Sequence, residues 1–140
     1  MTQVFFYHGA SDKIAAACAL LSGAYAKKKP MLVFASDSEI ANNIDRVLWT
    51  HSALSFVPHC RADSPLASDT PIQITNSLDQ PFQTERLMNL SLQMPPDFSR
   101  FESLIEVVGQ DDSDRSAARD RVRQYKEQGC DVRYFDLSER

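Results

Sequence analysis

A chain of 140 residues, 43% hydrophobic and 24% charged, is long enough to bury one core unaided, and four glycines with seven prolines exclude a collagen-like or low-complexity polymer. The formal net charge of −4 excludes a surface that binds nucleic acid everywhere through Lys and Arg, and leaves room for a local basic patch alone. No run approaches the roughly 18 to 20 apolar residues that span a bilayer, and "MTQVFFYHGASDK" lacks the basic start of a signal peptide. The expectation is a single cytoplasmic domain over residues 1–140 with no membrane contact.

In chain order, "QVFFYHG" reads as a strand leaving through Gly9. Ser11 or Asp12 then caps a helix whose Ile14, Ala17, Cys18, Leu21, Ala24 and Tyr25 recur at three- and four-residue steps before Pro30 stops the chain. "MLVFA" is a buried-type strand, and "SDSEIANNIDRVLW" opens with caps and puts Ile40, Ile44, Val47 and Leu48 on one helical face. "RADSPLASDT" reads as an exposed loop. "PIQITN", "RLMNLS" and "FESLIEVV" are three further strands, of which the last alone reads as deeply buried throughout. "DDSDRSAARDRVRQYKEQG" has an acidic, cap-rich start and Gly129 at its end, the asymmetry of a helix, and "DVRYFDL" closes as a strand. Strands alternating with helices point to an α/β domain with a largely parallel sheet flanked by helices.

Tests for chemistry mostly fail. Gly9, Gly23, Gly109 and Gly129 are isolated, so no loop carries the glycine spacing that brings backbone N–H groups onto phosphates. His51, His59 and Cys60 lack ligand spacing, no nucleophile elbow is present, and Cys18, Cys60 and Cys130 read as free thiols. The "DDSD" run, Asp111 to Asp114, fits helix capping better than a divalent ion, and His8 lies where a parallel strand ends and sites often form. No catalytic residue, metal site or cofactor is assigned. A nucleotide- or metal-dependent enzyme stays open on the α/β pattern, His8 and "DDSD" alone.

One feature of the last helix stands out. At 100° per residue, Arg115, Arg119, Arg123 and Lys126 fall within about 80°, with Ala118, Val122 and Tyr125 in the adjoining sector. Asp120 and Glu127 lie off this stripe, so its cations are only partly neutralised and an external anion becomes a candidate ligand. Single-stranded DNA is one such anion.

Together, "DRVLW" followed by "ALSFVPH" and the later "AARDRVRQYKEQG" resemble the chi subunit of bacterial DNA polymerase III, with a similarity that also takes in the "FFY" strand and the closing helix and strand. The resemblance implies a Rossmann-like fold and a non-catalytic replication adaptor in the clamp loader. It implies two partners: the acidic C-terminal tail of single-stranded DNA-binding protein, which ends in proline and phenylalanine, and the psi subunit or another protein such as a repair helicase. On this chain the tail-binding positions become Arg115, Arg119, Val122 and Arg123, with Arg119 taking the carboxylate. Val122 stands where the family can carry a tyrosine, and Tyr125 one turn on is expected to help form the pocket. Trp49, Phe56, Val57 and Pro58 become the surface for psi or its substitute.

Overall fold

Strand β1 (Gln3–Ala10) pairs in parallel with two neighbours at once and therefore alternates its side chains between two covered faces. The computed structural model describes residues 2–27, 29–35, 37–50, 59–61, 72–75, 78, 85–96 and 98–137. Within them β1 is followed by α1 (Lys13–Ala26), β2 (Met31–Phe34), α2 (Ser38–Thr50), β3 (His59–Arg61), β4 (Ile72–Thr75), β5 (Arg86–Asn89), a 3-10 turn (Phe98–Arg100), β6 (Ser103–Gly109), α3 (Asp112–Glu127) and β7 (Asp131–Asp136). The seven strands form one sheet in the order β3-β4-β2-β5-β6-β1-β7, and every pairing is parallel. The expected Rossmann-like α/β architecture is what forms.

Local chemistry explains the helix ends. Asp12 is extended and accepts the Ala15 N–H at 3.1 Å, capping α1; Asp37 accepts the Glu39 N–H at 2.9 Å at the start of α2. Asp111 caps α3 by accepting the Asp114 N–H. Gly129, with φ 83°, lets the chain turn left-handed after α3, where a Cβ would be strained. Gly9, with φ 76°, sits where the β1–β6 register shifts between Tyr7 and Ala10. The strand therefore runs one residue past the glycine that the sequence reading took as its exit.

Two apolar layers sandwich the sheet. On one face Ala17, Cys18, Leu21, Ala41 and Ile44 of α1 and α2 meet Met31, Val33, Ile72, Ile74, Ile105 and Val107. On the other, Val4, Leu32, Phe34, Leu87 and Leu104 pack with Phe98, Phe101 and Tyr125, while Phe6 and Val108 meet Ala118. Alternation within β2, with Met31 and Val33 on one side and Leu32 and Phe34 on the other, is the period-two signature of a strand buried on both faces.

Four sequence expectations need correction. His59 and Cys60, where no strand is expected from the sequence, open β3; the strand is three residues long, too short for a periodic signal, and is held by pairing with β4. β4 and β5 are as buried as β6, because each has a strand on either side; even Gln73 and Asn89 are excluded from water. Tyr25, expected on the apolar face of α1, is exposed near the helix end. Only Arg61 of "RADSPLASDT" lies within the described residues, as the last residue of β3.

Candidate basic helix and its aromatic edge

Helix α3 forms the site because its two faces carry different chemistry. Asp114, Ala118, Arg121 and Tyr125, at spacings of four, three and four, are its buried residues. Arg115, Arg119, Arg123 and Lys126 are exposed, and Val122 lies half-buried at the border, against Phe6, Val108 and Ala118.

The exposed cations differ in their local partners. Arg115 lies 3.9 Å from Asp112 and Arg123 lies 3.3 Å from Asp120, both at i,i+3. With the arginine side chains 53% and 67% exposed, these pairs are worth about 0 to 1 kcal/mol and can be exchanged for an external anion. Asp112 is a counter-charge that the sequence reading did not anticipate. Among the described residues Arg119 has no hydrogen-bond or ion-pair partner. Among the described residues it is thus the arginine of the stripe with no carboxylate to displace.

Lys126 leads to a residue the sequence reading missed. Its ammonium lies 5.3 Å from the ring centre of Tyr134 on β7, within cation–π range. Tyr134 is 50% exposed and meets Phe6 edge-on with ring centres 5.7 Å apart. The available signal was the alternation in "DVRYFDL", which puts Val132 and Tyr134 on one face. His8, on β1, lies 5.9 Å from the Phe6 ring and pairs in register with Asp136, so it borders this aromatic edge.

Tyr125 is a correction: expected to help line the tail pocket, it is 0% exposed. Its hydroxyl donates to Glu106 Oε2, and its ring meets Phe98 edge-on at 5.0 Å. Burial first, and then the Glu106 carboxylate, hold its phenol far above the ordinary range, so it remains a donor. Glu106, in mid-β6, also takes two bonds from Arg121, at 3.1 Å from Nε and 3.0 Å from Nη2, and bonds from Asn89 Nδ2 at 3.2 and 3.0 Å. Arg121 Nη1 donates to the Leu92 carbonyl at 2.9 Å, tying α3 to the segment after β5. The clue in the sequence was a carboxylate inside the apolar run "LIEVV", which demands a buried partner.

The remaining candidates fall into place as structure. Asp111 accepts from the Ser113 hydroxyl as well as the Asp114 N–H, and these bonds hold its carboxyl below the usual range. Asp114 accepts the Gly109 N–H at 2.8 Å and the Lys13 ammonium at 3.0 Å, joining the starts of α1 and α3. Among the described residues no group of three or more His, Cys, Asp or Glu is placed to hold a metal ion, and no helix is long and apolar enough to cross a membrane. Cys18 is buried, and exclusion from water pushes its thiol up to about 11. Of the other expected surface, Trp49 belongs to α2 and its side chain lies outside the described residues, as do His51, Phe56, Val57 and Pro58.

Residues 1–133 match the family model for the DNA polymerase III chi subunit, HolC. The chain is 30% identical over 135 residues to the DNA polymerase III subunit chi of Pseudomonas aeruginosa, covering 92% of each protein. It is 32% identical over 117 residues to that of Haemophilus influenzae, covering 83% of this chain and 81% of the relative. To the Escherichia coli protein of the same name it is 26% identical over 118 residues, covering 82% and 79%. The chain belongs to the DNA polymerase III chi subunit family.

Proposed function

We propose that the protein is a non-catalytic adaptor whose basic helix α3 takes the acidic C-terminal tail of single-stranded DNA-binding protein and thereby links the replicase to coated DNA. The observation that carries the reading is Arg119, an exposed guanidinium without a partner among the described residues, flanked by two weakly paired arginines. A guanidinium holds a carboxylate through a two-bond fork, and the neighbouring cations favour a chain of aspartates. A second, apolar surface built around Trp49, Phe56, Val57 and Pro58 takes psi or another protein such as a repair helicase; this part rests on the family resemblance and on the aromatic content of that stretch.

Fluorescence anisotropy with a labelled Asp-rich peptide ending in Pro-Phe tests the first part. Arg119→Ala removes one charge-assisted contact worth about 1.5 to 3 kcal/mol, so Kd rises about ten- to a hundredfold. Unchanged protein that ignores the peptide contradicts the reading. An unlabelled oligonucleotide added as competitor separates tail binding from direct binding of single-stranded DNA. On an acidic protein it displaces the peptide poorly, whereas efficient displacement would transfer the site to nucleic acid.

A further inference from the structure

We infer that a second copy of this chain covers the outer face of α1, the two helices packing antiparallel about a two-fold axis near Ala19.

A surface helix ordinarily turns charge toward water, and α1 does not. Residues 14–26 carry no charged side chain, whereas α2 exposes Glu39 and Arg46, and α3 exposes Arg115, Arg119, Arg123 and Lys126. The buried residues of α1 are Ala17, Cys18, Leu21 and Ala24. At 100° per residue, Ala15, Ala19, Gly23 and Ala26 fall within about 80° on the opposite side. Of these, Ala19, Gly23 and Ala26 are exposed and Ala15 is half-buried. The helix is therefore apolar on both faces, the composition of a helix that is buried all round.

Gly23 is an independent sign that something approaches from outside. In mid-helix a glycine is destabilising relative to alanine, and a Cβ at this position would meet no heavy atom among the described residues within 4 Å. Packing among those residues gives no reason for the glycine. With Ala19 and Ala15 one and two turns before it, Gly23 opens a shallow track that lets another helix settle at about 8 Å between axes.

Charge selects the occupant. Asp12, Asp37 and Glu39 are exposed where α1 and α2 start, at the edge of the sheet where the parallel strands β1 and β2 end. Lys27 and Lys29 are exposed at the other edge, where α1 ends. Lys13 does not offset the acidic end, because its ammonium is held by Asp114 at 3.0 Å. A face with carboxylates at one end and ammonium groups at the other complements its own copy turned end for end. The two-fold then carries Lys27 of each chain toward the Asp12 end of the other, sets Ala19 against Ala19 and Ala15 against Gly23, and opposes the two helix dipoles. A helix of 14 residues is about 21 Å long, so this contact is smaller than the roughly 800 Å² per partner of a standard interface and the pair forms and separates with concentration. Helix α3 packs on the opposite face of the sheet and stays open in both copies, so the pair presents two basic helices.

Sedimentation equilibrium of the full chain, from low to high micromolar concentration, tests the pairing. Unchanged protein is expected to pass from the mass of one chain to that of two. Ala19→Glu sets two carboxylates face to face at the axis and should raise the dissociation constant at least about tenfold, and Ala19→Lys should do the same with two ammonium groups. Mixed in equal amounts, the two variants put Glu opposite Lys and should pair again. Ala19 is exposed, so each variant should keep the circular dichroism and urea midpoint of the unchanged protein. Lys27→Glu places a carboxylate at the acidic end of the partner and should weaken pairing about two- to fivefold. Unchanged protein that stays a single chain at every concentration overturns the proposal and leaves the face to a different protein. Pairing that survives in Ala19→Glu places the interface elsewhere and overturns it too. Variants that fail to recover on mixing, or Lys27→Glu that pairs as before, overturn the antiparallel arrangement.

Discussion

Arg119 and Arg121 sit two residues apart on one helix and live in opposite environments. Arg121 is 2% exposed and forks onto Glu106, which is 0% exposed; Arg119 is open to water with no partner among the described residues. Two residues turn a helix by about 200°, which moves a side chain from core to solvent. The same guanidinium then does different work. Inside, its charge must be matched or it destabilises the fold, whereas outside it is available to any anion that reaches it.

The largest way to break this contrast is on the inner side. Arg121→Met leaves Glu106 buried without its cation, and removing one partner of a buried pair costs about 3 to 5 kcal/mol. Urea denaturation should show that loss, and adding Glu106→Leu should recover part of it, because two apolar side chains need no mutual charge. No loss in Arg121→Met would show that the pair is not a structural necessity. A smaller effect follows from Tyr125→Phe, which removes a hydrogen bond to a charged acceptor worth about 1.5 to 3 kcal/mol. That variant should lose stability while its tail affinity stays as it was, since the ring lies beneath the binding face. A selective fall in tail affinity would restore Tyr125 to the pocket. On the outer side, Arg119→Ala should leave the urea midpoint within the range of an ordinary surface change, about 0.5 kcal/mol, while tail affinity falls. Loss of stability and affinity together would erase the distinction between the two arginines.

How much of this was legible in the sequence follows the same line. Helical periodicity and caps placed α1, α2 and α3 near their observed bounds, because Asp12, Asp37 and Asp111 bond to the turns they start. The strands β1, β2, β6 and β7 were legible because runs of β-branched, aromatic and other apolar residues end at turn or polar residues. β3 was not, since His59, Cys60 and Arg61 carry no period and owe their conformation to a neighbour distant in sequence. The basic stripe was visible from spacing alone. What spacing could not resolve was depth: Tyr125 reads as the continuation of an apolar border, yet packing against Phe98 and bonding to Glu106 carry it into the core. Tyr134 was hidden for the converse reason, because its relation to the helix arises from β7 pairing beside β1, a contact across the sheet.

The central claim is that the outer face of α3 receives an acidic C-terminal tail, and amide NMR shift mapping tests it most directly. Titration with the Asp-rich Pro-Phe peptide should shift the resonances of Arg115, Arg119, Val122, Arg123 and Lys126 together with Tyr134. Those of Ala17, Cys18 and Leu21 in α1, under the opposite face of the sheet, should stay in place. Shifts gathered on α1, or none on α3 at saturating peptide, would contradict the account.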